Sequence, residues 1–260
     1  MSKHAVAVNR VAETQWHAVE DDLTVGRGYT SRRPDGRTFL SIDAWHDAAF
    51  DRLADAMLAD LPTPLYTVAD EADLDMTSGW ARAGFTVLRR EWEYLVPTDP
   101  QVTGLGSAPP QGVTIVPVGQ AEEGPLRALH RTIHDEVEAT VGWREMPAEV
   151  LPRPDLPVVV DPSMYAAAVH AGEYVGLIRV TTVARQPRCR RIGLVAVRSD
   201  RHRRGIARTL LAHVLGSLHR CGIETASADV NESNGAAVAL FEGIGARRAN
   251  SNVELMRTRP

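Results

Sequence analysis

The stretch "LVAVRSDRHRRGIARTLL", residues 194–211, joins an apolar run to an amphipathic run through a basic turn. From Arg201 to Leu211 it sets four arginines and a histidine around one glycine, Gly205, and then turns apolar. The first amides of a helix have no internal partner, and the helix dipole adds partial positive charge there. Gly205 and Ala207 are small, so a phosphate can approach the backbone, and the arginines add mobile charge. The stretch predicts a strand ending at Val197, a pyrophosphate-binding turn and a helix over 205–220. An arginine-rich solvated turn before a helix is written with the same letters. A Rossmann G-x-G-x-x-G is broken by Arg203 and Arg208, and a P-loop G-x-x-x-x-G-K-S/T is absent.

Outward from this turn the pattern is regular. Upstream, "VTIVPV" (113–118) reads as a strand, and 121–140 as a helix with Leu126, Leu129, Ile133 and Val137 at helical spacing. Residues 164–183 read as two strands joined at Ala171-Gly172, and 191–199 as a further strand. Downstream, 222–230 is a strand, 234–245 a helix ended by Gly245, and 247–257 a last strand. The order predicts an α/β layer structure on a mixed sheet. The N-terminal part is less regular: strands at 37–43, 65–70 and 85–97, and helices at 44–60 and 73–84. It echoes the end of the C-terminal part and suggests a degenerate internal duplication. Between them, 97–112 is rich in Pro, Gly, Ser and Thr and reads as a linker without helix or strand.

Composition narrows the function. The chain has 260 residues and a formal net charge of −4, which argues against non-specific nucleic-acid binding. Its two cysteines, Cys189 and Cys221, suggest reduced thiols rather than a disulfide framework or a zinc site. No metal is expected: His130 and His134 stand at i, i+4, but Arg131 sits where H-E-x-x-H needs Glu. Lys3 is the one lysine, so Schiff-base chemistry elsewhere in the chain is excluded. The N-terminal stretch has no long apolar core and no segment is long enough to span a bilayer, so a cytoplasmic protein without membrane partners is expected.

Two motifs carry a resemblance. His202 to Ala207 resembles the acyl-CoA loop of the GCN5-related N-acetyltransferase (GNAT) superfamily, Q/R-x-x-G-x-G/A, with Gly205 and Ala207 in register and His202 departing at the first position. "VNESNGAAVALFEGIGA" resembles the second signature, V-x-x-x-N-x-x-A-x-x-L-Y-x-x-x-G-F. Val230, Asn234, Ala237, Leu240 and Gly245 match, while Phe241 replaces Tyr and Ala246 replaces Phe. The resemblance covers 113–258. It implies a GNAT-like mixed, mainly antiparallel sheet flanked by helices. It also divides the chain into a truncated GNAT-like domain without cofactor site (1–97), a linker (98–112) and an acyltransferase domain (113–260).

The resemblance further implies acetyl-CoA as acyl donor. Its pantetheine would lie along the edge at Val195, Ala196 and Val197, and its pyrophosphate on His202, Arg203, Arg204, Gly205, Ile206, Ala207 and Arg208. Asn234 would contact the outer arm, with Phe241 at the position of the usual acid. The acceptor would be a primary amine of a small molecule that attacks the thioester directly. The fourth strand carries no carboxylate, so Asp135, Glu136 and Glu138 are the candidate bases, and Tyr165, Tyr174 or water the candidate acids. Trp143 and Met146 are candidates for the acceptor pocket, and Glu145 and Glu149 add to acids that favour a cationic acceptor. A non-catalytic CoA-binding or sensor module is the alternative, and a scaffold protein the third class. A homodimer is compatible with each.

Overall fold

Strand and helix periods alternate along the chain, and each hydrophobic face finds a sheet or a helix to cover it. The computed structural model describes residues 5–33, 36–106, 108–139, 160–183 and 186–258. The chain divides into two units: one runs to Glu91 and includes the residues from Asn250 on, and the other holds the described residues from Trp92 to Ala249.

The first unit begins with β1 (Ala7–Ala12), β2 (Gln15–Glu20), β3 (Leu23–Arg32) and β4 (Thr38–Ala44), an antiparallel meander. The helix α1 (Asp47–Asp60) then leads to β5 (Leu65–Asp70), parallel to β4, and to α2 (Leu74–Arg82) and β6 (Thr86–Pro97), whose residues from Trp92 on belong to the second unit. Residues 252–257 of the last strand, β12 (Arg247–Arg257), pair antiparallel with β5. Strands β1 to β3 are absent from the sequence-based expectation. Their hairpin turns at Asp21-Asp22, both at positive φ (49° and 63°), without the glycine that marks such turns. The alternation itself is weak: in β2 only Trp16 and Ala18 are buried. Gly28 on β3 admits α1 closely, since a Cβ there would lie 2.4 Å from Met57 Sδ.

The second unit runs α3 (Pro100–Thr103), β7 (Val113–Val116), α4 (Glu123–Ala139), β8 (Tyr165–His170), β9 (Glu173–Val183), β10 (Gln186–Val197), α5 (Ile206–Arg220), β11 (Thr225–Asn231) and α6 (Gly235–Glu242). The strand order β11-β10-β9-β8-β7 is antiparallel except for the parallel β10–β11 pair. One face packs on α5 and α6 through Ile178, Leu210, Leu211 and Phe241; the other packs on α4 through Leu126, Leu129, Tyr165 and Leu177. The segment expected as a linker without structure contains the single turn α3 and is packed. Thr98, Thr103 and Leu105 are buried, and the Thr98 amide and hydroxyl donate to backbone carbonyls beside β11. Pro100 at the helix start, capped by Asp99, and Gly104 at its end make that turn possible.

Glu254 is the charge centre of the first unit. It is 4% exposed and receives Arg37 at 2.5 Å, Arg89 at 2.8 Å and Arg33 at 3.8 Å. Arg33 and Arg37 also lie over the Phe39 ring. Removing the carboxylate takes their shared acceptor from three guanidinium groups, of which Arg89 keeps Glu91 at 3.4 Å, a loss of up to about 3–5 kcal/mol. Glu254→Ala is therefore expected to lower the denaturant midpoint of the first unit, followed by fluorescence of the buried Trp16 and Trp80.

Candidate active site

The site is built where β10 leaves β11. Their parallel ladder holds at Arg190↔Ala226, Arg191↔Ser227 and Ile192↔Ala228, and then ends. On its other side β10 stays paired with β9 as far as Val197↔Gly176. The stretch 194–197 therefore has one bonded edge and one open edge. The Arg198 amide donates to the Val175 carbonyl at 2.9 Å. By the two-residue alternation of an antiparallel ladder, Ala196 faces β9, while Val195 and Val197 turn their backbone groups to the open edge. Of the three residues expected to bind pantetheine, two have that orientation. The Ala196 side chain packs on the α4 face and those of Val195 and Val197 on the opposite face.

The chain then makes a tight turn at Ser199–Arg201 and enters α5 through Gly205, the N-cap, at φ 79°. Arg203 also has positive φ, 61°. No side chain caps α5, and its first turn holds no acid. Among the described residues the amides of 203 to 208 have no acceptor, and Thr209 makes the first helical bond, to Gly205. Arg203, Arg204 and Arg208 are exposed. Ile206 is buried against Gly176, which fixes the helix start to β9. Unpaired amides and arginine charge gathered at a helix start are the kind of donors that can hold an anion.

Three expected site residues have other duties. The His202 side chain turns back, its Nε2 2.7 Å from the Val197 carbonyl, and ties the loop to the strand end. Asn234 caps α6, its Oδ1 accepting from the Ala237 amide at 3.0 Å. Phe241 is buried and stacks on Tyr94, with ring centroids 6.0 Å apart. Among the expected bases, Glu136 accepts from both the Ser199 amide and hydroxyl at 2.9 Å. It braces α4 against the loop, and Asp135 and Glu138 are exposed on the same helix. Tyr174 is used too, its hydroxyl accepting from the Glu122 amide at 3.0 Å. Trp143, Glu145, Met146 and Glu149 lie outside the described residues, and the described residues hold no cluster suited to a metal ion.

The sequence reading named Tyr165 as a candidate acid but missed its neighbours His130 and Arg179 on the α4 face. His130 on α4 stands edge-on to Tyr165 on β8, centroids 6.5 Å apart. Tyr165 pairs with Arg179 on β9, and Arg179 with Leu194 on β10. Burial, reinforced by the charges of His134 and Arg179, pushes the His130 pKa below its ordinary value, and its Nδ1 is buried without a partner. Burial raises the Tyr165 hydroxyl. The i, i+4 histidines were the sequence signal for His130. A separate cavity of about 410 Å³, lined by Val180, Thr182, Arg190, His213 and Ser217, opens at the far end of β10 from Val197 and contains none of the loop residues.

Because His130 is held neutral in the fold, the unfolded chain takes up its proton first as the pH falls. Its contribution to stability is complete above about pH 6.5 and is lost below it, through the depressed folded value. His213, lowered by burial and by Arg220, adds in the same direction. The melting temperature is expected to fall between pH 7.5 and pH 5, and His130→Gln to narrow that difference in calorimetric scans.

Comparison with known proteins agrees with this geometry. Residues 129–246 match the Acetyltransferase (GNAT) family. A 55-residue stretch is 40% identical to the ribosomal protein bS18-alanine N-acetyltransferase of Escherichia coli (strain K12), covering 21% of this chain and 37% of that relative. The chain thus spans well under half the length of the curated relatives it matches. A GCN5-related N-acetyltransferase from Sphaerobacter thermophilus superposes over 97% of this chain and 83% of its own, with TM-score 0.64 and 18% identity. A tandem GNAT protein from the clavulanic acid biosynthesis pathway gives the same coverage and TM-score at 16% identity. Open strand edge, uncapped basic helix start and the match to the acetyltransferase (GNAT) family coincide in one stretch of chain, residues 129–246.

Proposed function

We propose that the protein is an N-acetyltransferase that moves an acetyl group from acetyl-CoA to a primary amine of a small molecule by direct attack. The observation that carries this reading is the set of unpaired amides at 203–208 beside the open edge of β10. Those amides, with Arg203, Arg204 and Arg208, fit a pyrophosphate. The open backbone groups of Val195 and the Val197 amide fit the amides of pantetheine, the Val197 carbonyl being held by His202.

Acetyl-CoA supplies an activated thioester: the amine nitrogen bonds to its carbonyl carbon, the C–S bond breaks and the sulfur leaves as thiolate. The protein holds the two reactants in contact, an effect of up to about 7–11 kcal/mol. An amine with a pKa near 10.4 must lose a proton, which costs about 4–5 kcal/mol at neutral pH. Glu136 is engaged by Ser199, and Asp135 and Glu138 are exposed, so none of the three is a ready base. His130, held neutral with Nδ1 unpartnered, takes that role. Phe241 offers no proton to the sulfur, and the thiolate leaves as such or through Tyr165. The buried Phe241 and the carboxylate-free β10 favour a second reading, a CoA-binding sensor without turnover.

Calorimetry with acetyl-CoA separates these readings. The wild type is expected to bind in the micromolar range and Gly205→Glu to lose binding, since it adds a carboxylate and a Cβ at φ 79°. Gly205→Asn, which tolerates that backbone, controls for folding. Binding with turnover of an amine panel supports the enzyme, and binding without turnover the sensor. An absence of binding overturns both. In the active enzyme His130→Gln is expected to lower kcat about a hundredfold while acetyl-CoA affinity is unchanged.

A further inference from the structure

Arg179 is used by nothing described so far. It is the β9 member of the row Leu194–Arg179–Tyr165 that crosses β10, β9 and β8. Leu177, two residues away, packs on the α4 face together with Tyr165 and Leu194, so alternation sends the Arg179 side chain to that face. His130 and Tyr165 both feel its charge there. Its Nε is buried and has no hydrogen-bond acceptor, and among the described residues no carboxylate pairs with it. Three other arginines of the unit pair with carboxylates: Arg191 with Asp229 at 3.0 Å, Arg198 with Glu173 at 3.1 Å, Arg248 with Glu242 at 2.8 Å.

Its place excludes the CoA phosphates as the missing partner. Leu194, opposite Arg179, lies three residues before Val197, roughly 10 Å down the strand from the start of the phosphate loop at about 3.3 Å per residue. Leu194 lies just beyond the last β10–β11 pair, Ile192↔Ala228, so Arg179 stands one strand from the closed end of the opening. Its polar neighbours, His130 and Tyr165, are both held neutral and offer hydrogen bonds rather than charge.

We propose that Arg179 is the anchor for a carboxylate on the acceptor, so that the substrate class is an amine that also carries a carboxylate, such as an amino acid. The planar fork of the guanidinium matches a carboxylate, and the buried Nε then gains the acceptor it lacks. This replaces the expectation of a cationic acceptor, drawn from acids of which Asp135 and Glu138 are exposed and Glu136 is held by Ser199. It rests on the acetyltransferase reading for its chemistry but not for its binding.

The test compares amino acids with their decarboxylated amines and with phosphate esters of amino alcohols. In the wild type, kcat/KM for the best amino acid is expected to exceed that of its decarboxylated amine by about a hundredfold. Arg179→Met is expected to erase that ratio through KM, with acetyl-CoA affinity retained, and Arg179→Lys to restore part of it. An unchanged ratio in Arg179→Met, or a preference for the amine or the phosphate ester, overturns the proposal. Calorimetric binding of the same amino acids to wild type and Arg179→Met reads the anchor without turnover. If no amine is acetylated, the enzyme reading fails while this binding difference still supports the anchor, and its absence overturns it.

Discussion

The parting of β10 from β11 after Ile192↔Ala228 is the constraint on which the rest of the second unit depends. A strand bonded on both edges has nothing to offer a ligand. By keeping β9 and leaving β11, β10 holds its shape as far as Val197 and exposes one edge of backbone. The same divergence delivers the chain to the start of α5, where unpaired amides and exposed arginines gather. Strand edge and helix start are thus two consequences of one break in a ladder, and Ile206 packed against Gly176 keeps them in register.

The first unit shows what happens to the same order of elements without that loop. It too runs through an antiparallel meander, a helix, a parallel strand and a second helix, and its β4–β5 ladder is also short, Thr38↔Leu65 and Phe39↔Tyr66. Yet only Trp45 and His46 separate β4 from α1. The His46 side chain accepts from the Ala49 amide, and Asp47 puts negative charge in the first turn. A helix start that is capped by a side chain and carries an acid repels what the α5 start attracts.

Several polar residues near the opening act as struts. His202 is tied to Val197, Glu136 to Ser199, and Asn234 to the first turn of α6. Each stiffens an element that would otherwise be free to fray beside an open edge. A carboxylate or imidazole that satisfies a backbone group is not free for proton transfer. The α4 face holds a different set, where burial lowers the His130 pKa and Arg179 Nε has no acceptor.

Much of the second unit was legible in its letters because local rules suffice there. Apolar spacing marked α4 and α5, Ala171-Gly172 marked the β8–β9 turn, and glycine with arginines marked the basic start of α5. Strands β1 to β3 were not legible, because the Asp21-Asp22 turn carries no glycine and the burial alternates faintly. Nor was the packing of 98–112, whose few apolar residues find partners only once α5 and β11 exist. The sequence by itself determined the elements, their order and the charged loop, since these follow from neighbours within a few residues. Only the tertiary structure decided where β10 lets go of β11, which carboxylates are spent as struts, and that His130, Tyr165 and Arg179 meet. Those depend on residues far apart in the chain sharing one face of a sheet, and no local period records that.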